Sequence, residues 1–184
     1  TEKADGVRAQ LMIKDGIGYL ITPKKEIMDI GLKIEYENSD CEWLFDGEYI
    51  TQNKRGEPIK LFMIFDVYYS SEYTTQPYLY PWTDKKGISR SGIIRKFKDT
   101  VKMYTNPFYP EAAVRVGYKQ YYDGSDKLTI KDGVVTNGLS IFKHTKKILS
   151  VEESLGGYEY FTDGLIFLPM YLPVKGLSTE DKPK

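Results

Sequence analysis

The chain has 184 residues, 41% of them hydrophobic, which suits one large domain with a buried core. Lysine plus arginine number 26 and aspartate plus glutamate also 26, which excludes a general polyanion sponge; a chain like this that handles RNA or a nucleotide must focus its basic groups in a cleft. The single cysteine, Cys41, excludes an internal disulfide and reads as a small buried hydrophobe in a reducing compartment, while the absence of a bilayer-length apolar run or a signal peptide makes the cytoplasm the default address.

Val7 to Ile13 and Ile17 to Thr22 are β-rich runs around Lys14-Asp15-Gly16, and Asp-Gly in that setting predicts a hairpin. Trp43 to Thr51 and Lys60 to Tyr69 predict a second hairpin with a long connector, residues 52–58. From Ser89 to Tyr104 the apolar residues Ile93, Ile94, Phe97 and Val101 have amphipathic helical spacing, with Ser89 or Ser91 as cap. Val114 to Tyr122 alternates like a strand. Leu139 to Glu153 reads as a helix with Ile141, Phe142, Thr145, Ile148 and Leu149 on one face, and Tyr158 to Leu168 as a strand pair or one bent strand. Antiparallel hairpins with helices between them predict an α+β domain. The lack of regular strand–helix alternation and of a glycine-rich phosphate loop argues against a Rossmann or P-loop fold. No boundary falls inside the domain, placed at residues 1–176, and residues 177–184 form a polar tail. The chain begins amid a charged motif and stops in that tail, so it reads as a piece of a longer protein.

Four clusters stand out in order: Lys3-Ala4-Asp5-Gly6-Val7-Arg8, Asp46-Gly47-Glu48, Ile64-Phe65-Asp66 and Asp163-Gly164-Leu165-Ile166-Phe167. A lone Asp-Gly is usually a turn, as Lys14-Asp15-Gly16 and Lys131-Asp132-Gly133 are expected to be. The last three clusters each adjoin or lie in an expected strand, and strand ends aimed at one cleft can build a site from distant sequence.

The ordered set resembles the covalent nucleotidyltransferases, which comprise mRNA-capping guanylyltransferases and ATP- or NAD-dependent polynucleotide ligases. Residues 3–8 resemble the family's nucleophile motif, 44–48 its third motif, 62–67 the strand that follows, and 162–167 its fourth motif. Aspartate at position 163 is typical of capping enzymes, where ligases usually carry glutamate. The wording around the motifs is similar to capping enzymes of large cytoplasmic DNA viruses. The resemblance runs from Lys3 to about Gly176 and implies an ATP-grasp-like nucleotidyltransferase domain of antiparallel sheets with flanking helices. It also implies GTP and the 5′ end of RNA as partners, no membrane, further capping domains in the same polypeptide, and a place in the host cytoplasm or virion.

The resemblance also assigns roles. Lys3 is the nucleophile that takes GMP from GTP as a lysyl phosphoramidate and passes it to the 5′-diphosphate end of RNA. Its amine must be unprotonated to attack, so its pKa must be depressed in the site, by desolvation or by a cation such as Mg²⁺ or Mn²⁺. Glu48 contacts the ribose and helps place the metal, and Asp163 faces the metal near the α-phosphate. Arg8 contacts the ribose or phosphate oxygens, its bland rival being a solvated cation. Phe65 stacks on guanine or is plain core. Asp46 binds metal or only shapes its turn, Asp5 holds the loop or touches substrate, and Lys119 reaches the nucleotide or is solvated. Asp66 reads as structural, and His144 as an exposed helix residue without a partner at metal or triad spacing.

Two parts of the family pattern are missing: the fifth motif, a Lys-x-Lys strand element, and the OB-fold domain that closes over the nucleotide. Lys182-Pro183-Lys184 matches that motif in letters only, since its proline argues against a central strand, and Lys175 is isolated. The leading expectation is an mRNA guanylyltransferase. Its rivals are a ligase adenylation domain and an inactive nucleotidyltransferase fold that serves as an interaction module.

Overall fold

The computed structural model describes residues 1–36, 42–72, 89–108, 110–124, 129–131, 134–137, 140–153 and 157–168. Cys41, Asp132-Gly133, Lys175 and the tail lie outside them. In chain order the strands are β1 (Glu2–Ala4), β2 (Val7–Lys14), β3 (Ile17–Ile21), β4 (Ile27–Glu35), β5 (Trp43–Gln52) and β6 (Pro58–Ser70). Helix α1 (Arg90–Thr100) follows, then β7 (Lys102–Thr105), a 3₁₀ turn (Pro110–Ala112), β8 (Arg115–Tyr118), β9 (Thr129–Lys131), β10 (Val134–Asn137), α2 (Ser140–Glu153) and β11 (Thr162–Leu165). The expected α+β class holds: the described chain is mostly strand, with two helices.

A curled seven-stranded sheet runs β7-β4-β3-β2-β5-β6-β8, antiparallel except where β8 lies parallel to β6. Both expected hairpins form. Lys14 faces Ile17, with Asp15 and Gly16 both at positive φ, as a two-residue turn matching strand twist requires. Strand β4 is an element the reading of the sequence did not contain. Its burial does not alternate, because its register with β3 slips between Asp29 and Lys33, where Gly31 has positive φ. Its Ile30 and Gly31 backbone carbonyls also accept from Val114 and Asn106. The expected helix from Ser89 to Tyr104 ends at Thr100. Ser89 caps it by accepting from the Gly92 N–H, and Lys102–Thr105 leaves to pair with β4.

The main core lies between this sheet and α1. Leu11, Leu20, Trp43, Phe45, Phe62, Ile64 and Val67 meet Ile93, Ile94 and Phe97, and Trp43 stacks on Phe45 at 5.6 Å between centroids. Burying each such side chain contributes about 1.5–3 kcal/mol, so this layer fixes where β5 and β6 present their opposite face. One ion pair is sunk into the same layer: Arg90 of α1 donates to Asp66 of β6 at 2.8 Å. The structural reading of Asp66 therefore holds. Of the apolar face expected on α2, Ile148 is buried, whereas Ile141, Phe142 and Leu149 are exposed.

A second, smaller core of Ala4, Ile50, Leu61 and Tyr160 sits under a two-stranded ribbon of β1 and β11. The ribbon is short because only Thr162–Leu165 of the expected Tyr158–Leu168 element extends. Its register sets Glu2 opposite Leu165 and Ala4 opposite Thr162.

Candidate active site

The β1–β11 ribbon brings Lys3 and Asp163 together. The Lys3 ammonium donates to Asp163 Oδ2 at 2.8 Å, and each side chain is about half exposed (49% and 50%). Alternation along β1 explains the aim: Glu2 and Ala4 are buried, so Lys3 between them points out.

Glu48 enters from the large sheet. Pairing of β2 with β5 sets Arg8 opposite Glu48 and Gln10 opposite Asp46, so the second half of the first cluster meets the second cluster directly. Gly6 makes the approach close: a Cβ there would lie 2.8 Å from Glu48 Cγ and 2.7 Å from the Tyr49 carbonyl oxygen. Burial pushes the half-buried Glu48 carboxyl above its usual range, against Lys119, Lys3 and the Gly6 N–H, which hold it down. Lys3, Glu48 and Asp163 thus form one electrostatic unit.

The sign of the Lys3 shift differs from the expectation. Its hydrogen bond to Asp163, then the charges of Asp163, Glu48 and Asp5, raise the amine above its ordinary 10.5. An exposed amine beside carboxylates keeps its proton. Depression therefore requires that the Asp163 charge be neutralised.

Arg8 and Asp46 form a second unit. The Arg8 guanidinium donates through Nε to Asp46 Oδ1 at 3.1 Å and through Nη2 to Oδ2 at 2.6 Å. Tyr68 Oη also donates to Asp46 Oδ2 at 2.6 Å, and Arg8 Nη2 approaches the same hydroxyl at 2.8 Å. Asp46 is only 1% exposed, so its carboxylate is spent on these partners. Burial and Asp46 push the Tyr68 phenol up to about 12. Arg8 remains largely exposed beyond its Asp46 contact, open to a further anion.

Phe65 lies where the β5–β6 register slips: Asp46 faces Asp66 while Gly47 faces Ile64, leaving Phe65 as the extra residue of a bulge. Two positions, Phe65 and Asp66, thus separate the core residues Ile64 and Val67. Phe65 is half-buried there.

The solvated reading of Lys119 does not hold. The side chain is buried, donating to the Glu2 carbonyl oxygen at 2.9 Å, with its ammonium 3.4 Å from Glu2 Oε1. Tyr160 Oη donates to the same Glu2 oxygen at 3.0 Å. Desolvation lowers the Lys119 pKa, opposed by Glu2 and Glu48. Lys119 thus clamps the residue next to Lys3 from beneath. Asp5 holds the loop after β1, its N–H donating to the Phe161 carbonyl at 2.9 Å while its side chain is exposed. His144 is half-buried on α2 and stacks on Tyr122 at 5.1 Å, so its expected exposure is not met.

Glu2, Tyr68 and Tyr160 are site-supporting residues that the sequence reading missed. Among 16 tyrosines, two that bond carboxylates carry no local signal, and the burial of Glu2 follows only from β1 docking on Tyr160. Among the described residues, no group of three or more His, Cys, Asp or Glu side chains is arranged to hold a metal ion, and no helix is long and apolar enough to cross a membrane.

No protein-family model matches the chain, and no curated protein matches it.

Proposed function

We propose that this chain is the nucleotide-binding domain of an mRNA guanylyltransferase and that Lys3 is its nucleophile. One observation carries the reading: the Lys3 ammonium lies 2.8 Å from Asp163, and Glu48 bears on the same amine from a third segment. An amine that must meet a metal-bound triphosphate needs carboxylates at this place, and here they come from two separate sheets.

The donor set suits Mg²⁺ that arrives on the nucleotide, since Mg²⁺ takes one or two carboxylates and fills its shell with phosphate oxygens and water. Asp163 and Glu48 would hold it. When bound, the ion would neutralise carboxylate and phosphate charge. With the Asp163 charge engaged, the Lys3 amine loses the partner that keeps it protonated. Neutral Lys3 Nζ then attacks the α-phosphorus of GTP; the bond to the bridging oxygen breaks, pyrophosphate leaves and the amine proton passes to solvent. A terminal oxygen of the RNA diphosphate next attacks the same phosphorus, the P–N bond breaks, and Lys3 takes a proton back. Arg8, fixed by Asp46, presents its guanidinium to the ribose or phosphates, and Phe65 offers its ring to the base.

Because the fifth motif and the closing domain are missing from this chain, the test is incubation of the protein extended through the fifth motif with α-labelled GTP or ATP and Mg²⁺. Acid-labile GMP labelling that Lys3→Ala abolishes supports the proposal. Exclusive AMP labelling replaces it with the ligase reading, and absence of any nucleotide binding by calorimetry replaces it with the interaction-module reading.

A further inference from the structure

On the flank where β8 follows β6, a cavity of about 350 Å³ opens between the sheet and α1. Its lining is Ile64, Ser91, Ile94, Arg95, Lys98, Tyr118, Lys119 and Gln120. Three of these are basic and none is acidic; Lys119 is already paired with Glu2, so the rim cations are Arg95 and Lys98. In a formally neutral chain that imbalance is local, and it is the kind of focused basic cleft that handling a polyanion demands.

The arrangement has a direction. Ser91, Ile94, Arg95 and Lys98 recur at the three- and four-residue spacing of one helical face, so α1 presents them as a single stripe. Arg95 and Lys98 are exposed at the outer rim, with Lys98 Nζ 5.6 Å from the Tyr118 ring centroid. Lys119 forms the inner wall, and its ammonium reaches through to the Glu2 carbonyl, one residue before Lys3. Ile64, Ile94 and Tyr118 give the groove an apolar floor on which a base or ribose can rest. Cations along an open rim, an apolar floor and a neutral polar side chain at Gln120 match an extended phosphodiester strand better than an enclosed small anion.

We propose that this cavity is a docking groove for single-stranded RNA, in which Arg95 and Lys98 contact backbone phosphates of the strand whose end is offered to Lys3. That the strand is the acceptor rests on the guanylyltransferase reading; that the groove binds RNA phosphates does not. Inorganic pyrophosphate presents the same chemistry, and the experiment separates the two.

Fluorescence anisotropy of a dye-labelled ten-nucleotide RNA, without GTP, is compared for the wild type, Lys3→Ala and the double variant Arg95→Glu/Lys98→Glu. Both reversed positions are exposed on α1, so the core is spared, and an unchanged melting temperature verifies it. The expected result is RNA affinity weakened on the order of tenfold or more in the double variant, with log K against log[salt] flattened by about 1.4, the share of two phosphates on a single strand. Lys3→Ala binds RNA as the wild type does, and GMP labelling of the double variant is unaltered. RNA affinity and salt slope equal to wild type in the double variant overturn the proposal. So does loss confined to pyrophosphate binding, which identifies a small-anion site. Failure of GMP labelling in the wild type extended through the fifth motif, with the RNA result intact, removes the catalytic reading and leaves the groove.

Discussion

Lys3 and Asp163 are 160 positions apart, yet share a 2.8 Å ion pair because β1 and β11 form a two-stranded ribbon. The pair raises the pKa of Lys3 above its ordinary 10.5. On the lysine side it therefore persists throughout the neutral range and is lost as pH rises through the raised value. Asp163→Asn is expected to increase the reactivity of Lys3 toward a small anhydride at pH 9, read by peptide mass spectrometry. The same variant is expected to lose nucleotide adduct formation by about 100-fold, the scale on which misplacing a reacting group acts. Unchanged amine reactivity counts against the pair as the cause of the shift.

Glu48 is held ionised at a cost, since burial raises its pKa above 4.5. A carboxyl whose folded pKa is raised binds its proton more tightly when folded, so its contribution to stability falls as pH rises through that window. Glu48→Gln removes this cost. At a pH where Glu48 is ionised the variant is expected to melt at or slightly above the wild-type temperature, by at most about 2 °C, what a fraction of a kcal/mol gives in a chain of this length. Nucleotide binding measured by calorimetry falls at the same time. A clear loss of melting temperature makes Glu48 a structural residue instead.

Tyr68 has no counterpart among the motif residues, but its hydroxyl is one of the groups that satisfy buried Asp46. Tyr68→Phe leaves that carboxylate short of a donor and is expected to cost about 1.5 kcal/mol in urea unfolding, the lower end for a hydrogen bond to a charged group. Asp46→Ala also frees Arg8, and is expected to weaken nucleotide binding through loss of the guanidinium's orientation. Equal nucleotide affinity in wild type and Asp46→Ala refutes the idea that Asp46 aims Arg8.

The Arg90–Asp66 pair ties α1 to β6, with side chains only 4% and 16% exposed. Removing one partner strands a buried charge, so Arg90→Ala is expected to cost about 3–5 kcal/mol, whereas Arg90→Met with Asp66→Leu costs much less. Chemical denaturation of both variants checks this, and equal losses in the two remove the ion pair as the cause.

Much of the local structure was legible before folding. Asp15-Gly16 marked its hairpin because few other pairs tolerate two positive φ values in succession. Ser89 marked the start of α1 because its side chain meets the Gly92 N–H three residues on. Strand β4 was not legible. An irregularity at Gly31 breaks its alternation, and its polar Asp29 and Lys33 interrupt the apolar pattern. The end of α1 was missed because Val101 keeps helical spacing, while pairing with β4 draws Lys102–Thr105 into the sheet.

The motif residues themselves, Lys3, Arg8, Asp46, Glu48, Phe65 and Asp163, were identifiable from order and type along the chain. Which of them face one another was decided by pairing: the β1–β11 register delivered Asp163 to Lys3, and the β2–β5 register delivered Glu48 to the same side. Burial was likewise a tertiary outcome. Lys119 lies on a segment that reads equally as solvated, yet it is enclosed and spent on Glu2, while Asp46 is enclosed by Arg8 and Tyr68. Type and order belong to the chain because they are local. Distance and desolvation depend on segments that meet only when both sheets close, and no one segment encodes them.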